Sequence, residues 1–182
     1  MTLVAAFVSV SMSAQFYVGG GVGFASFDDS NKSHSVFKFV PEVGYNLDED
    51  MAVGIALTYT QGSTADAWLL TDPNKDLNED LKTFSIAPYL RYSFAKFGPV
   101  TVFADGCFEY THIDNDGAKA NGWGLGIKPG IAVNLNEKFS FVSHIGRLGY
   151  SQLKEDVSGA KAVSTFGLDL DNALTFGLYY NF

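Results

Sequence analysis

The segment ALTFGLYYNF, residues 173–182, decides the fold class, because large apolar residues alternate along it with small or polar ones. The large set is Leu174, Phe176, Leu178, Tyr180 and Phe182. The same period of two runs through residues 51–60 and 121–135. Alternation sustained over this length is typical of β-strands that have two different faces.

Extending the alternation along the chain predicts eight strands. They lie near residues 15–27, 36–47, 51–62, 80–95, 99–113, 120–135, 139–151 and 162–182. The connections alternate between short ones near 48–50, 96–98 and 136–138 and longer polar ones near 28–35, 63–79, 114–119 and 152–161. This predicts an all-β protein, an eight-stranded antiparallel up-and-down transmembrane β-barrel in an outer membrane. The even strand count puts both termini at the short-turn end, on the periplasmic side.

Composition excludes several other classes of protein. The 182 residues include 20 acids and 12 bases, a net charge of −8, so we expect no nucleic-acid partner. A single Cys excludes an internal disulfide framework and a Cys-rich zinc site. The apolar content of 47% argues against disorder. No apolar run reaches the roughly 18 residues of a membrane helix. We expect no cofactor and no bound metal.

The two faces of the strands predict which side meets lipid. The face opposite the large apolar residues carries glycines and charges: Gly19, Gly21, Gly23, Lys38, Glu42, Arg91, Asp105, Glu109 and Lys128. Such a set makes a poor apolar core but a suitable polar interior for a narrow barrel with a lipid-facing exterior. The alternative is a soluble ligand-binding barrel, which requires an apolar interior.

Aromatic residues group near the two predicted ends of the strands. Tyr45, Tyr92, Phe94, Phe97, Phe139, Tyr180 and Phe182 lie toward the short turns, and Phe27, Tyr59, Tyr110, Trp123 and Tyr150 toward the long connections. Two such belts match the interfacial preference of aromatic rings.

The interior charges include equal numbers of acids and bases. Because unpaired buried charges are costly, strand register predicts an Arg91–Asp105–Lys128 cluster, with Glu109, Glu42 and Lys38 in the same interior. One interpretation is a polar plug that fills the barrel, and the other is a gated or proton-conducting lumen. In the seventh strand, a bulge near Gly146 would let Arg147 turn inward.

The first 14 residues have the character of a processed segment. Leu3 to Val10 is a short apolar core, Ser11 to Ala14 are mostly small, and Gln15 restarts the strand pattern. This predicts a signal peptide at 1–14 and a barrel at 15–182. No Lys or Arg precedes Lys32, so the basic leader of a signal peptide is missing and its start would be truncated or wrongly assigned. The alternative to a signal peptide is an extra strand or a buried helix.

The final residues FGLYYNF, 176–182, resemble the terminal strand of bacterial outer-membrane barrels. The segments PEVGYNL (41–47), PYLRYSF (88–94) and PGIAVNL (129–135) repeat at spacings of 47 and 41 residues. Together these features resemble the small bacterial outer membrane protein beta-barrel domain family, the OmpX-type eight-stranded barrel. Since Pro avoids paired strands, we expect local bulges at these three prolines.

The resemblance implies partners and a location. Phe176, Leu178, Tyr180 and Phe182 would be the signal read by the barrel-assembly machinery. The protein would be a monomer in the bacterial outer membrane, in contact with outer-membrane lipid and lipopolysaccharide. Its function would be that of a non-enzymatic, porin-like integral barrel with a plugged lumen and cell-surface loops for binding or adhesion to an unknown surface partner. A narrow transport pore is an alternative.

Some barrels that this chain resembles are lipid A-modifying enzymes with a His/Ser or His/Ser/acid site. His144 beside Ser143 is the nearest candidate here, with Glu109 or Glu155 as the acid. A nucleophile needs a base within hydrogen-bond reach, and no motif shows that arrangement. We therefore predict no catalytic residues, and a lipid A-modifying enzyme stays the alternative.

The second long connection holds two further candidates. Asp72, Asn74, Asp76, Asn78 and Asp80 could bind calcium, but Leu77 and Thr83 occupy positions where an EF-hand needs Gly and Glu. A solvated acidic loop is the simpler interpretation. Trp68, Leu69 and Leu70 form an apolar tip that either contacts an external partner or packs over the barrel mouth. We interpret Cys107 as a small interior filler.

Overall fold

The computed structural model describes residues 16–29, 32–62, 82–115, 118–156, 161–169 and 175–182. Regular structure in these ranges consists of ten β-strand segments: β1 Phe16–Asp29, β2 Lys32–Asn46, β3 Met51–Gly62, β4 Lys82–Phe97, β5 Val100–Asn115, β6 Ala118–Asn134, β7 Phe139–His144, β8 Arg147–Glu155, β9 Val163–Asp169 and β10 Thr175–Asn181. None of the described ranges contains a helix long and apolar enough to cross a membrane.

The segments form a closed barrel of eight antiparallel strands. The first six pair in chain order, β7 and β8 together make the seventh strand, and β9 and β10 make the eighth. Closure comes from β1 and β10, where Tyr17–Gly20 pairs with Leu178–Asn181. The predicted all-β, eight-stranded barrel is confirmed.

The short connections are stabilised by local hydrogen bonds at one end of the barrel. The Asp48 carboxylate accepts hydrogen bonds from the backbone N–H groups of Asp50 (2.8 Å) and Met51 (2.7 Å). In the same way, the Asn136 side-chain carbonyl accepts hydrogen bonds from the backbone N–H groups of Lys138 (2.9 Å) and Phe139 (2.8 Å). Asp and Asn favour turns for this reason.

A bulge interrupts the seventh strand at Ile145 and Gly146. Ile127 of β6 pairs with Leu148 and Gly130 with His144, so two β6 residues face three residues of the other strand. Gly146 has a φ of +83°, a left-handed value that glycine adopts without steric cost. One extra residue reverses which residues face inward, and Arg147 accordingly becomes a buried interior residue.

The prolines disturb the ladders less than expected. At Pro41 and Pro88 a short stretch of pairing is lost on one side, between β2 and β3 and between β4 and β5, but the register is the same before and after. The expectation of a bulge was wrong at these two sites, because a missing N–H removes a hydrogen bond without adding a residue. Pro129 does lie opposite a bulge, and its carbonyl accepts the Ile145 N–H at 2.8 Å.

The outer and inner faces differ as the alternation predicted. Large apolar side chains cover the outside of the wall, among them Leu90, Phe108, Leu125, Ile127 and Phe176. The inside contains buried polar and charged side chains around a small aromatic group. This is the reverse of the soluble ligand-binding barrel.

Three sequence predictions lie outside the described residues. They are the signal peptide at 1–14, the apolar tip Trp68–Leu70 and the acidic run between Asp72 and Asp80. They stay predictions.

Candidate functional site in the barrel interior

Glu42 of β2 lies inside the barrel near the short-turn end and binds tyrosines of other strands. Tyr89 of β4 donates a hydrogen bond to its Oε1 atom, and Tyr179 of β10 donates one to Oε2 at 2.5 Å. The hydroxyl groups of Tyr17 and Tyr89 are 2.5 Å apart, which brings β1 into the same network. A buried carboxylate needs such partners to offset its lost hydration.

Interior glycines leave room for these rings. A Cβ atom on Gly44 would collide with the ring of Tyr17, and one on Gly54 would collide with the ring of Tyr89. Glycine in a strand often marks such a close approach. The glycine-rich face predicted from the sequence is thus the surface against which large interior side chains pack.

Arg91 of β4 joins this network to a second carboxylate. Its Nε and Nη2 atoms donate to the two oxygens of Asp105 at 2.7 and 2.8 Å, and Nη2 is 3.4 Å from Oε1 of Glu42. The guanidinium lies 4.1 Å from the ring centroid of Phe103. Forked pairing with stacking on an aromatic ring is the geometry that suits arginine. The exposed fractions are 9% for Arg91, 3% for Asp105 and 8% for Glu42, so the group is shielded from water.

His144 of β7 extends the cluster to another strand. Its Nε2 atom is 2.8 Å from Oδ2 of Asp105, and its ring meets Phe103 edge-on with centroids 5.4 Å apart. Asp105 therefore binds both Arg91 and His144.

A second charged group lies nearer the long connections, around Glu109 of β5. Arg147 of β8 forms an ion pair with its carboxylate, and Lys128 of β6 approaches the same oxygen to 3.5 Å. Glu109 and Arg147 are both buried. The bulge at Ile145 and Gly146 makes this pair possible, because it turns Arg147 inward.

Most of these contacts join strands that are not neighbours in the wall. Glu42 connects β2 with β4 and with β10, and Asp105 and Glu109 each connect β5 with the seventh strand across β6. Side chains therefore bridge the interior at two levels. A cavity of about 450 Å³ reaches from the short connections to Arg91, and its walls include Asn46, Asn134 and Asn181.

Comparison with known proteins identifies this architecture. The whole chain, residues 1–182, matches the family described as "Outer membrane protein beta-barrel domain". The chain belongs to this family. It is an outer-membrane β-barrel protein, as the terminal segment and the alternation predicted.

Two solved structures are similar to this outer-membrane barrel at low sequence identity. Neisserial surface protein A (NspA) is 21% identical, with a TM-score of 0.55, over 92% of this chain and 97% of that one. A major outer membrane protein from Thermus thermophilus is 18% identical, with a TM-score of 0.47, over 94% of this chain and 100% of that one. No curated protein sequence matches significantly.

The structure divides the predicted charge cluster of the barrel into two groups. Arg91, Asp105 and Glu42 come together near the short turns. Lys128 lies directly across from Asp105 in the β5–β6 register, but it forms its ion pair with Glu109. Lys38, on the interior side of β2, is partly exposed.

The predicted assembly residues lie on the outer face of β10 and at the chain end. Phe176 and Leu178 are exposed, and Tyr180 packs edge-on against Phe182 with centroids 5.0 Å apart. The backbone N–H of Phe182 donates to the carbonyl of Phe16 at 3.0 Å, at the β1–β10 closure.

Sequence reasoning missed the aromatic part of the interior. Tyr17, Tyr89, Tyr179 and Phe103 have the same strand parity as the interior charges, and that parity is the signal that could have found them. Cys107 is buried, and its thiol donates to the Gly126 carbonyl at 3.4 Å. Within the described ranges, no group of three His, Cys, Asp or Glu residues could hold a metal ion.

Proposed function

We propose that this outer-membrane barrel is a non-enzymatic scaffold with a sealed interior, which presents its long connections at the cell surface for binding or adhesion. The observation that carries the proposal is the fork from Arg91 to Asp105, together with the approach of the same Nη2 atom to Glu42. These contacts join β2, β4 and β5 through the interior, where a pore would need open space. Eight-stranded barrels are just wide enough for side chains to fill.

The ends of the barrel support an orientation. Phe16 and Phe182 lie at the end that carries the short connections after β2, β4 and β6. Outer-membrane barrels keep short turns on the periplasmic side and long loops outside. We therefore place Phe16 and Phe182, with the short connections, on the periplasmic side. External contacts are assigned to the end of the barrel that carries the long connections. The tip at Trp68–Leu70 is the proposed contact for a surface partner.

The position of His144 supports a non-enzymatic role over lipid A modification. His144 faces inward and binds Asp105, and Ser143 points to the opposite face of β7 because side chains alternate. Adjacent residues on opposite faces cannot act as base and nucleophile on one substrate. The assay is mass spectrometry of lipid A from vesicles that contain the purified barrel. A change in lipid A mass would support the enzyme instead.

Conductance in planar lipid bilayers tests the sealed interior. We expect no stepwise ion current from the wild-type barrel. The triple variant Glu42→Ala/Arg91→Ala/Asp105→Ala removes the bridge next to the cavity and should conduct or leak. Lys96→Ala is the matched control, because its ion pair with Asp50 lies at the exposed rim. Stepwise current through the wild-type barrel would support the narrow pore and contradict the proposal.

A further inference from the structure

The cavity at the short-connection end of the barrel is lined mainly by uncharged polar side chains. Its volume of about 450 Å³ lies within the range of small-molecule sites, roughly 300–1,000 Å³. Arg91 and Phe103 lie at its inner end, and the turn residues Glu49 and Glu137 lie at its mouth. Six strands contribute an amide or hydroxyl side chain to the lining: Asn46, Ser93, Thr101, Asn134, Ser140 and Asn181.

Three of these residues form a hydrogen-bonded row on the neighbouring strands β6, β7 and β10. The Ser140 hydroxyl donates to Oδ1 of Asn134 at 2.8 Å and accepts from Nδ2 of Asn181 at 3.2 Å. The same Nδ2 atom donates to the Lys138 carbonyl at 3.4 Å. Within the described residues, no hydrogen bond uses Nδ2 of Asn134 or Oδ1 of Asn181. The row Asn134–Ser140–Asn181 therefore offers one donor group and one acceptor atom to a ligand.

A donor and an acceptor on one row match the amide of an acetamido group. Such a group presents a carbonyl oxygen and an N–H side by side, so it can accept from Asn134 and donate to Asn181. On β4 and β5, the hydroxyls of Ser93 and Thr101 form no hydrogen bond to other described residues. Each can both donate and accept, as sugar hydroxyls also can. The lining thus fits a molecule that carries an amide and several hydroxyls.

The charges of the cavity disfavour an ionised ligand. Arg91 is already bound to Asp105 at 2.7 and 2.8 Å, and Lys96 at the mouth is bound to Asp50 at 2.8 Å. An anion would find both cations engaged, and the two glutamates at the mouth would repel it. A cation that reached the inner end would meet carboxylates that already bind Arg91. Either ion would lose hydration without gaining a counter-ion of its own, which is costly.

We infer that this cavity binds a small uncharged sugar that carries an acetamido group. The row Asn134–Ser140–Asn181 holds the acetamido group, and the hydroxyls of Ser93 and Thr101 bind hydroxyls of the sugar. The inference goes beyond the proposed function and is compatible with it, because the cavity ends at Arg91 and binding needs no open pore.

Isothermal titration calorimetry of the folded barrel in lauryldimethylamine oxide, a detergent without sugar, tests the inference. The probes are N,N′-diacetylchitobiose and cellobiose, which differ only in having acetamido groups or hydroxyls at two positions. One neutral hydrogen bond changes affinity about fivefold, and a hydroxyl can replace only one of the two made by the acetamido group. We therefore expect the wild-type barrel to bind diacetylchitobiose about fivefold more tightly than cellobiose. Asn134→Leu/Asn181→Leu should weaken diacetylchitobiose binding on the order of 25-fold and abolish this preference.

The matched control is Asn121→Leu/Gln152→Leu, which removes two amides near the long connections, outside the cavity. It should bind both disaccharides like the wild type. Thr101→Phe fills part of the cavity while keeping the row, so it should abolish saturable binding of both. This variant tests the inference even if the asparagine variant fails to fold, as judged by its gel-mobility shift on heating.

Four results would overturn the inference. They are no saturable binding of diacetylchitobiose to the wild-type barrel, equal affinities for the two disaccharides, equal losses in the two amide variants, and wild-type binding by Thr101→Phe. None of them depends on conductance, so a leaky wild-type barrel would contradict the sealed interior alone.

Discussion

Replacing Arg91 by Met tests whether the interior charges stabilise the barrel as a balanced group. The substitution removes two hydrogen bonds to Asp105, of 2.7 and 2.8 Å, and the approach to Glu42. Two buried carboxylates then lose their shared cation. Breaking a buried ion pair from one side costs about 3–5 kcal/mol, so we expect the free energy of unfolding to fall by about 4 kcal/mol.

The assay is equilibrium urea unfolding of the barrel in lipid vesicles, followed by tryptophan fluorescence and by the gel-mobility shift on heating. Lys96→Met is the control, since the Lys96–Asp50 ion pair has a similar distance of 2.8 Å but side chains that are 45% and 54% exposed. A pair this exposed contributes about 0–1 kcal/mol.

A charge-neutral variant separates lost charge balance from lost packing. Glu42→Gln/Arg91→Met/Asp105→Asn removes all three charges while keeping side chains of similar volume. Replacing a whole buried ionic group is often close to neutral, so this variant should be more stable than Arg91→Met alone. The reasoning is refuted if Arg91→Met costs less than about 1 kcal/mol, or if the triple variant is destabilised as much as the single one.

Two further predictions concern interior packing and assembly. Gly54→Val should destabilise the barrel by about 1–3 kcal/mol in the same unfolding assay, because the valine side chain would overlap the Tyr89 ring. Gly106→Val is the control and should be nearly neutral, because a Cβ there meets no atom closer than 3.9 Å. Equal effects of the two substitutions would contradict the packing argument. Phe182→Ser should reduce the amount of heat-modifiable barrel in the outer membrane several-fold without changing refolding in detergent. The control Phe97→Ser, whose side chain is 67% exposed compared with 64% for Phe182, should change neither quantity. If the two variants assemble alike, the terminal residue is not the assembly signal.

Strand alternation predicted the barrel and the facing of its charged residues. A period of two fixes the side of the wall on which each residue lies, so the alternation alone places Glu42, Arg91, Asp105 and Glu109 inside. Register carried the prediction further, since a long connection centred near residues 116–117 puts Lys128 opposite Asp105. The bulge at Gly146 could also be predicted from the sequence, because the alternation of inward and outward residues shifts by one position there.

Contacts between non-neighbouring strands could not be predicted in the same way. They depend on the tilt and stagger of the strands, which set how far one wall lies from another and which a period of two does not encode. Arg147 therefore reaches Glu109 across β6, and Tyr179 reaches Glu42 across β1. The interior tyrosines were missed because aromatic residues also form the outer belts.

The second-neighbour bridges have a consequence for the order of folding events. Tyr179 and Glu42 are 137 residues apart in sequence, and their hydrogen bond joins the last strand to the second. Contacts of such high sequence separation form slowly, since loop-closure entropy is lost before they contribute. Glu42 cannot collect all its donors until the final strand docks against β1. The interior should therefore stay hydrated in every open intermediate and lose its water in one late, cooperative closing step.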